Sequence, residues 1–183
     1  MKHLKLFEKF EDIDVICKKY GIRNYTINNG VVDVDGDVNL SHEELMELPL
    51  KFGRVRGNFS CGYNQLTTLE GCPNSVGGNF YCTDNNLTTL LGGPKEVGGV
   101  FGCYKNKLTT LEGGPKELGT GLLFCHGNLI ENIYRLFSSY KEYQDSLDYN
   151  YLRGTDIVKS RFKEALEEIG ETLPDKIIGY NYI

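Results

Sequence analysis

Histidine is scarce in this chain, concentrated positive charge is absent, and no apolar run approaches the length of a membrane span. Only His3, His42 and His126 occur among 183 residues. None is paired by motif with a serine or cysteine, and no glycine loop of the phosphate-cradling kind is present, so nothing assembles a nucleophile, a base and an orienting group. The net charge is −5. Residues 1–56 carry 9 Lys+Arg against 10 Asp+Glu, residues 57–128 carry 4 against 5, and residues 129–183 carry 7 against 10. Without a basic block the chain lacks the positive face that nucleic-acid phosphates require. The opening MKHLKLFEKFEDID mixes charges into its apolar residues and does not read as a secretory leader. We expect a cytoplasmic protein with reduced cysteines and no membrane contact.

What the sequence does have is one phrase written several times. NFSCGYNQLTTLEGCPNSV is followed by NFYCTDNNLTTLLGGPKEV and by FGCYKNKLTTLEGGPKEL. Cys61, Cys82 and Cys103 recur every 21 residues, and Cys125 follows 22 later. Asn64, Asn85, Asn106 and Asn128 keep this spacing, as do Phe59, Phe80, Phe101 and Leu123, and Leu66, Leu87, Leu108 and Ile130. A period in this range marks stacked coils, each of which buries its apolar face only against its neighbours.

The columns spell Phe-x-Cys-x-x-Asn-x-Leu-x-x-Leu, which resembles the leucine-rich-repeat core with Phe and Cys in the first two apolar slots. Phe80 and Cys82 alternate with Tyr81 and Thr83, so a short strand turns one face inward. The Asn then turns the chain, and Asn64, Asn85, Asn106 and Asn128 are expected to form a ladder that serves backbone groups left unpaired. Pro and Gly-Gly on the return forbid a long helix there. The expected fold is α+β: a leucine-rich-repeat-like solenoid with a short parallel sheet of about five coils, helically capped at both ends. Residues 1–30 form the N-terminal cap, 31–128 the repeats and 129–183 the C-terminal cap. In the first cap Leu4, Phe7, Phe10, Ile13 and Cys17 have helical spacing before Gly21. Val38 and Leu40 begin a degenerate first coil, and Ser41 to Glu44 reads as a capping box for a short helix before Pro49. In the second cap Ile133, Leu136, Phe137 and Tyr140 suggest one helix, and about Asp156 to Ile169 another, with Ile157, Phe162, Leu166 and Ile169 inward. Tyr149, Tyr151, Tyr180 and Tyr182 read as packing residues.

LTTLEGxPxxVGGxFxC, DVDGDVNLS and the ending DYNYLRGTDIVKSRFKEALEE…IIGYNYI resemble the leucine-rich-repeat-like accessory proteins of T-even-type bacteriophages, over most of the chain. The resemblance implies expression in the host bacterial cytoplasm. It carries no catalytic residues across. Some small phage accessory proteins block host defence systems, an association by context and not by residues.

The cysteine column does not read as a metal site, because rungs roughly 4.8 Å apart keep four thiols from converging on one ion. It reads as core, with Cys72 incidental. Asp33, Asp35 and Asp37 with Glu44 resemble a calcium loop, but Val38 stands where the turn needs glycine. No cofactor and no metal is expected. The outward strand positions are polar early (Asp37, Asn39, Ser41, Asn58, Ser60) and become apolar and aromatic later. Tyr81, Thr83, Val100, Tyr104, Phe124 and His126 are the candidate partner-binding residues, on a concave face suited to a protein, and a host protein is the expected partner. The alternative is that the C-terminal helices cover this patch. A second functional reading is an enzyme site among Asp148, Tyr149, Tyr151, Arg153 and Asp156. The sequence sets no oligomeric state.

Overall fold

The computed structural model describes residues 12–120, 122–137, 140–146, 152–153 and 156–183. The expected helical residues Leu4, Phe7 and Phe10 lie outside them. Helix α1, Ile13–Lys19, starts at Asp12, whose carboxylate accepts the Asp14 N–H, and stops before Gly21 at φ +64°. It buries Cys17.

A hairpin follows. Strand β1, Tyr25–Asn28, pairs antiparallel with β2, Val31–Val34, across Asn29-Gly30, both with positive φ. That turn matches the right-handed twist of its strands. From there each repeat supplies two strands. One series is β2, β4 (Lys51–Val55), β6 (Ser75–Val76), β8 (Glu96–Val97) and β10 (Glu117–Leu118). The other is β3 (Val38–Asn39), β5 (Phe59–Ser60), β7 (Phe80–Tyr81), β9 (Phe101–Gly102) and β11 (Leu123–Phe124). The first series, with β1 at its edge, forms a six-stranded sheet, here sheet A. The second forms a five-stranded sheet B. Apart from the hairpin, every pairing in both sheets is parallel. Repeat positions pair with repeat positions: Phe59 with Phe80, Phe80 with Phe101, Phe101 with Leu123. The protein is thus α+β with parallel-strand sheets and few helices. The sequence reading anticipated sheet B. It expected extended or turn-like backs on the return and did not name the second sheet, A, that these form.

Between the sheets the recurrent residues stack on their own kind. Phe59, Phe80 and Phe101 are fully buried with ring centroids 5.7 and 5.0 Å apart. Cys61, Cys82 and Cys103 are likewise fully buried, and Cys125 nearly so. Every cysteine is a free thiol. Burial holds the Cys82 and Cys103 thiols well above their ordinary pKa, so they stay protonated as small apolar groups.

The short helix expected after Ser41 is absent. His42 and Glu44 have φ +63° and +55°, which a helix cannot accommodate. The Glu43 and Leu45 N–H groups donate instead to Asn64 Oδ1, and Ser41 Oγ meets Ser60 Oγ at 2.7 Å. A partner in the next coil outweighs a local cap.

The C-terminal segment holds α2 (Glu131–Tyr134), α3 (Tyr140–Ser146), β12 (Leu152–Arg153), β13 (Asp156–Ile157), α4 (Lys159–Glu168) and β14 (Asn181–Tyr182). The expected helix from Asp156 begins only at Lys159, because Asp156–Ile157 pairs with both β12 and β14. Ile157, Phe162 and Leu166 are buried as expected, and the tail does fold back, through β14. This segment docks on the last coil: buried Tyr143 accepts the Leu111 N–H through its hydroxyl, and Tyr180 donates to Thr109 O at 2.7 Å.

Candidate functional site

Two polar ladders hold the coils in step. The inner one is the Asn column. Asn106 Nδ2 donates to Cys82 O and Cys103 O, each at 3.0 Å, while its Oδ1 accepts the Leu87 N–H at 3.1 Å. Asn85 repeats the pattern with Cys61 O, Cys82 O and Leu66 N. Asn128 bonds Cys103 O, Cys125 O and Leu108 N. Asn64 serves the first coil and is only half-buried. The turn that admits this Asn places the preceding residue at positive φ in coil after coil, at Tyr63, Asp84, Lys105 and Gly127, and His42 before Glu43 has the same conformation.

The outer ladder went unread in the sequence. Asp37 Oδ1 accepts the Asn58 N–H at 2.6 Å, Asn58 Oδ1 accepts that of Asn79, and Asn79 Oδ1 accepts that of Val100, the last two at 2.8 Å. The polar character of the early rungs is therefore dictated by the scaffold. Of the other carboxylates in the apparent calcium loop, Asp33 likewise accepts a backbone N–H, that of Arg54, while Asp35 makes an exposed ion pair with the Arg56 side chain at 3.8 Å.

The outward side of sheet B carries the candidate residues. Thr83 has to be removed from the accessible set: it is 2% exposed, and its hydroxyl points at Gly102 O. Tyr81 is half-buried because its ring lies over Gly102, where a Cβ would meet Tyr81 Cδ1 at 2.6 Å. Val100 is half-buried. Tyr104 and His126 stack with centroids 4.5 Å apart and planes 10° from parallel. Phe124 is 45% exposed and its neighbour Leu122 51%. So the structure brings Tyr81, Val100, Tyr104, Phe124 and His126 onto one face.

Two further members were missed. Tyr63 stacks on His42 at 4.4 Å and 9°, and its hydroxyl reaches to 3.5 Å from that of Tyr104. That hydrogen bond raises the Tyr63 pKa above its ordinary value. The signal was an aromatic immediately before a ladder Asn, a position where positive φ turns the side chain out of the strand's alternation. Among the described residues the C-terminal segment hydrogen-bonds to Thr109, Leu111 and Pro115 and, through Glu131, to Gly127. At the rim of the face, Gly127 N–H and then Arg135 hold the Glu131 carboxyl below its ordinary pKa.

Of the second candidate cluster, Asp148, Tyr149 and Tyr151 lie outside the described residues. Arg153 is in β12, and Asp156 accepts from the Asn181 side chain. Among the described residues no group of three or more His, Cys, Asp or Glu side chains could hold a metal ion. Among them, too, no helix is long and apolar enough to cross a membrane. Comparison of the chain with protein-family models, with curated proteins and with solved structures finds no match.

Proposed function

We propose that the chain is a leucine-rich-repeat-like solenoid that works as a non-enzymatic protein-binding module. Its partner sits on the outward face of sheet B, over Tyr81, Val100, Tyr104, Phe124 and His126, with Tyr63 and Leu122 extending the contact. The observation that carries this reading is the exposure of Phe124 and Leu122 beside the stacked Tyr104–His126 pair. Aromatic side chains held rigid by their neighbours lose little freedom on binding, and clustered exposed apolar surface marks an interaction site. The phrase shared with T-even-type phage accessory proteins supports a host protein as partner in the bacterial cytoplasm, inhibited by occlusion of its working surface, as a counter-defence factor would act. Affinity capture from bacterial lysate tests it. Wild type retains a defined protein that Tyr104→Ala/Phe124→Ala loses, while a Glu96→Ala control on sheet A keeps it. Retention of the same proteins by the double variant refutes the assignment of this face.

A further inference from the structure

Sheet B ends on a strand that lacks its next rung. Within the sheet each coil donates N–H groups to carbonyls one coil on: Phe80 to Val100 O and Cys82 to Gly102 O, then Phe101 to Leu122 O and Cys103 to Phe124 O. In β11 the corresponding groups are the Leu123 N–H, the Leu123 carbonyl and the Cys125 N–H. None of these has a hydrogen-bond partner among the described residues. The next N–H on this edge, Gly127, is taken by the Glu131 carboxylate at 2.8 Å. The open stretch is therefore short and bounded. A strand edge with unpaired donors and acceptors is a template for another strand.

We infer that an extended segment of the partner protein completes sheet B, running parallel to β11 and placing an acidic residue at its C-terminal end. This rests on the reading of the chain as a protein-binding module. Two observations select that occupant. The core beyond the last coil is filled by the C-terminal segment, through buried Ile133, Phe137 and Tyr143 and through Tyr180 on Thr109. A second copy of the chain would bring a second layer behind its own sheet into that space. A single strand brings none. The charge also fits. Lys105 has no carboxylate within ion-pair distance among the described residues, and its Cγ lies 3.4 Å from where a Gly127 Cβ would be. Lys105 thus lies beside Gly127, at the end of the open edge.

The segment would accept from Leu123 N–H at one residue. Two residues later it would donate to Leu123 O and accept from Cys125 N–H, as Asn79 and Tyr81 do for the coil before them. The probe is an acetylated hexapeptide with the sequence of residues 79–84 carrying Cys82→Ser, which ends in Asp84. It is titrated into the full chain labelled with nitrogen-15. Saturable shifts and roughly tenfold slower hydrogen exchange at the Leu123 and Cys125 amides are expected. Methylating the peptide's Tyr81 nitrogen removes the donor to Leu123 O and should abolish both effects. Asp84→Lys in the peptide should weaken binding, most at low salt. Equal binding of the methylated peptide, unchanged Leu123 and Cys125 amides at large excess, or a doubled molecular mass of the chain alone that blocks the peptide would each overturn the inference. The outcome is separable from that of lysate capture, because Tyr104→Ala/Phe124→Ala leaves the β11 backbone groups in place.

Discussion

Replacing Asn106 by alanine tests the inner ladder where it is most enclosed. The side chain makes two bonds of 3.0 Å to Cys82 O and Cys103 O and accepts one of 3.1 Å from Leu87 N–H. Those carbonyls are not orphaned by its loss, because Asn85 Nδ2 still reaches Cys82 O and Asn128 Nδ2 still reaches Cys103 O. Leu87 N–H is orphaned, inside a residue that is 0% exposed. A buried N–H without a partner costs about 1–3 kcal/mol, and two lost bonds add about 1 kcal/mol each in net terms. Asn106→Ala should therefore lower unfolding free energy by about 3–5 kcal/mol. Asn79→Ala in the outer ladder should cost under about 1 kcal/mol, since the exposed side of the sheet lets water reach the freed Val100 N–H. Asn106→Asp keeps the acceptor for Leu87 but turns an oxygen toward two carbonyls, and should cost at least as much as alanine near neutral pH. Urea unfolding followed by circular dichroism reads all three, the loss appearing as a lower midpoint at unchanged slope. An Asn106→Ala cost equal to that of Asn79→Ala would refute the reasoning.

Gly98→Ala places a Cβ against Gly77 O, a backbone atom that cannot move aside, and should destabilise by about 2 kcal/mol in the same assay. Tyr143→Phe leaves Leu111 N–H without its acceptor and should cost about 1–2 kcal/mol, read as a lower thermal midpoint. The thiols give a pH dependence. The ordinary thiol value is 9.0, and burial raises Cys82 and Cys103 above it. Above about pH 9 the unfolded chain releases protons that the folded chain keeps, so stability falls as pH rises through that range. Cys82→Ala/Cys103→Ala should flatten the fall, and an unchanged slope in pH-dependent urea titrations would contradict this origin.

The repeat was legible because core columns admit little variation. Phe, Cys, Asn and Leu recur in step since each packs against its own copy one coil away, as Phe59, Phe80 and Phe101 do. The Asn ladder could be named residue by residue for the same reason. Where the sequence misled, a partner in another coil outweighed a local signal. The Ser41–Glu44 capping box lost to Asn64, whose oxygen takes the Glu43 and Leu45 N–H groups. The outer ladder was hidden because Asp37, Asn58 and Asn79 look like ordinary surface polar residues until their oxygens are seen on the next coil's N–H groups. Sheet A was not named because its strands, such as Ser75–Val76, lie on the Pro- and Gly-Gly-bearing return of each repeat, where the residues rule out a long helix without specifying strand pairing. On the candidate face, strict alternation placed Thr83 outside, yet it is buried with its hydroxyl turned to Gly102 O. Tyr63 escaped because positive φ breaks the alternation.

The account depends on coils stacked in step, with the inner Asn side chains locked between them and the aromatic face left open. The most direct measurement is hydrogen exchange of the Asn side-chain amides. The account predicts that the Nδ2 protons of Asn85, Asn106 and Asn128 exchange only when the whole domain unfolds, while those of exposed Asn29 exchange at the free rate. Side-chain amides of Asn85 and Asn106 exchanging as fast as those of Asn29 would contradict it.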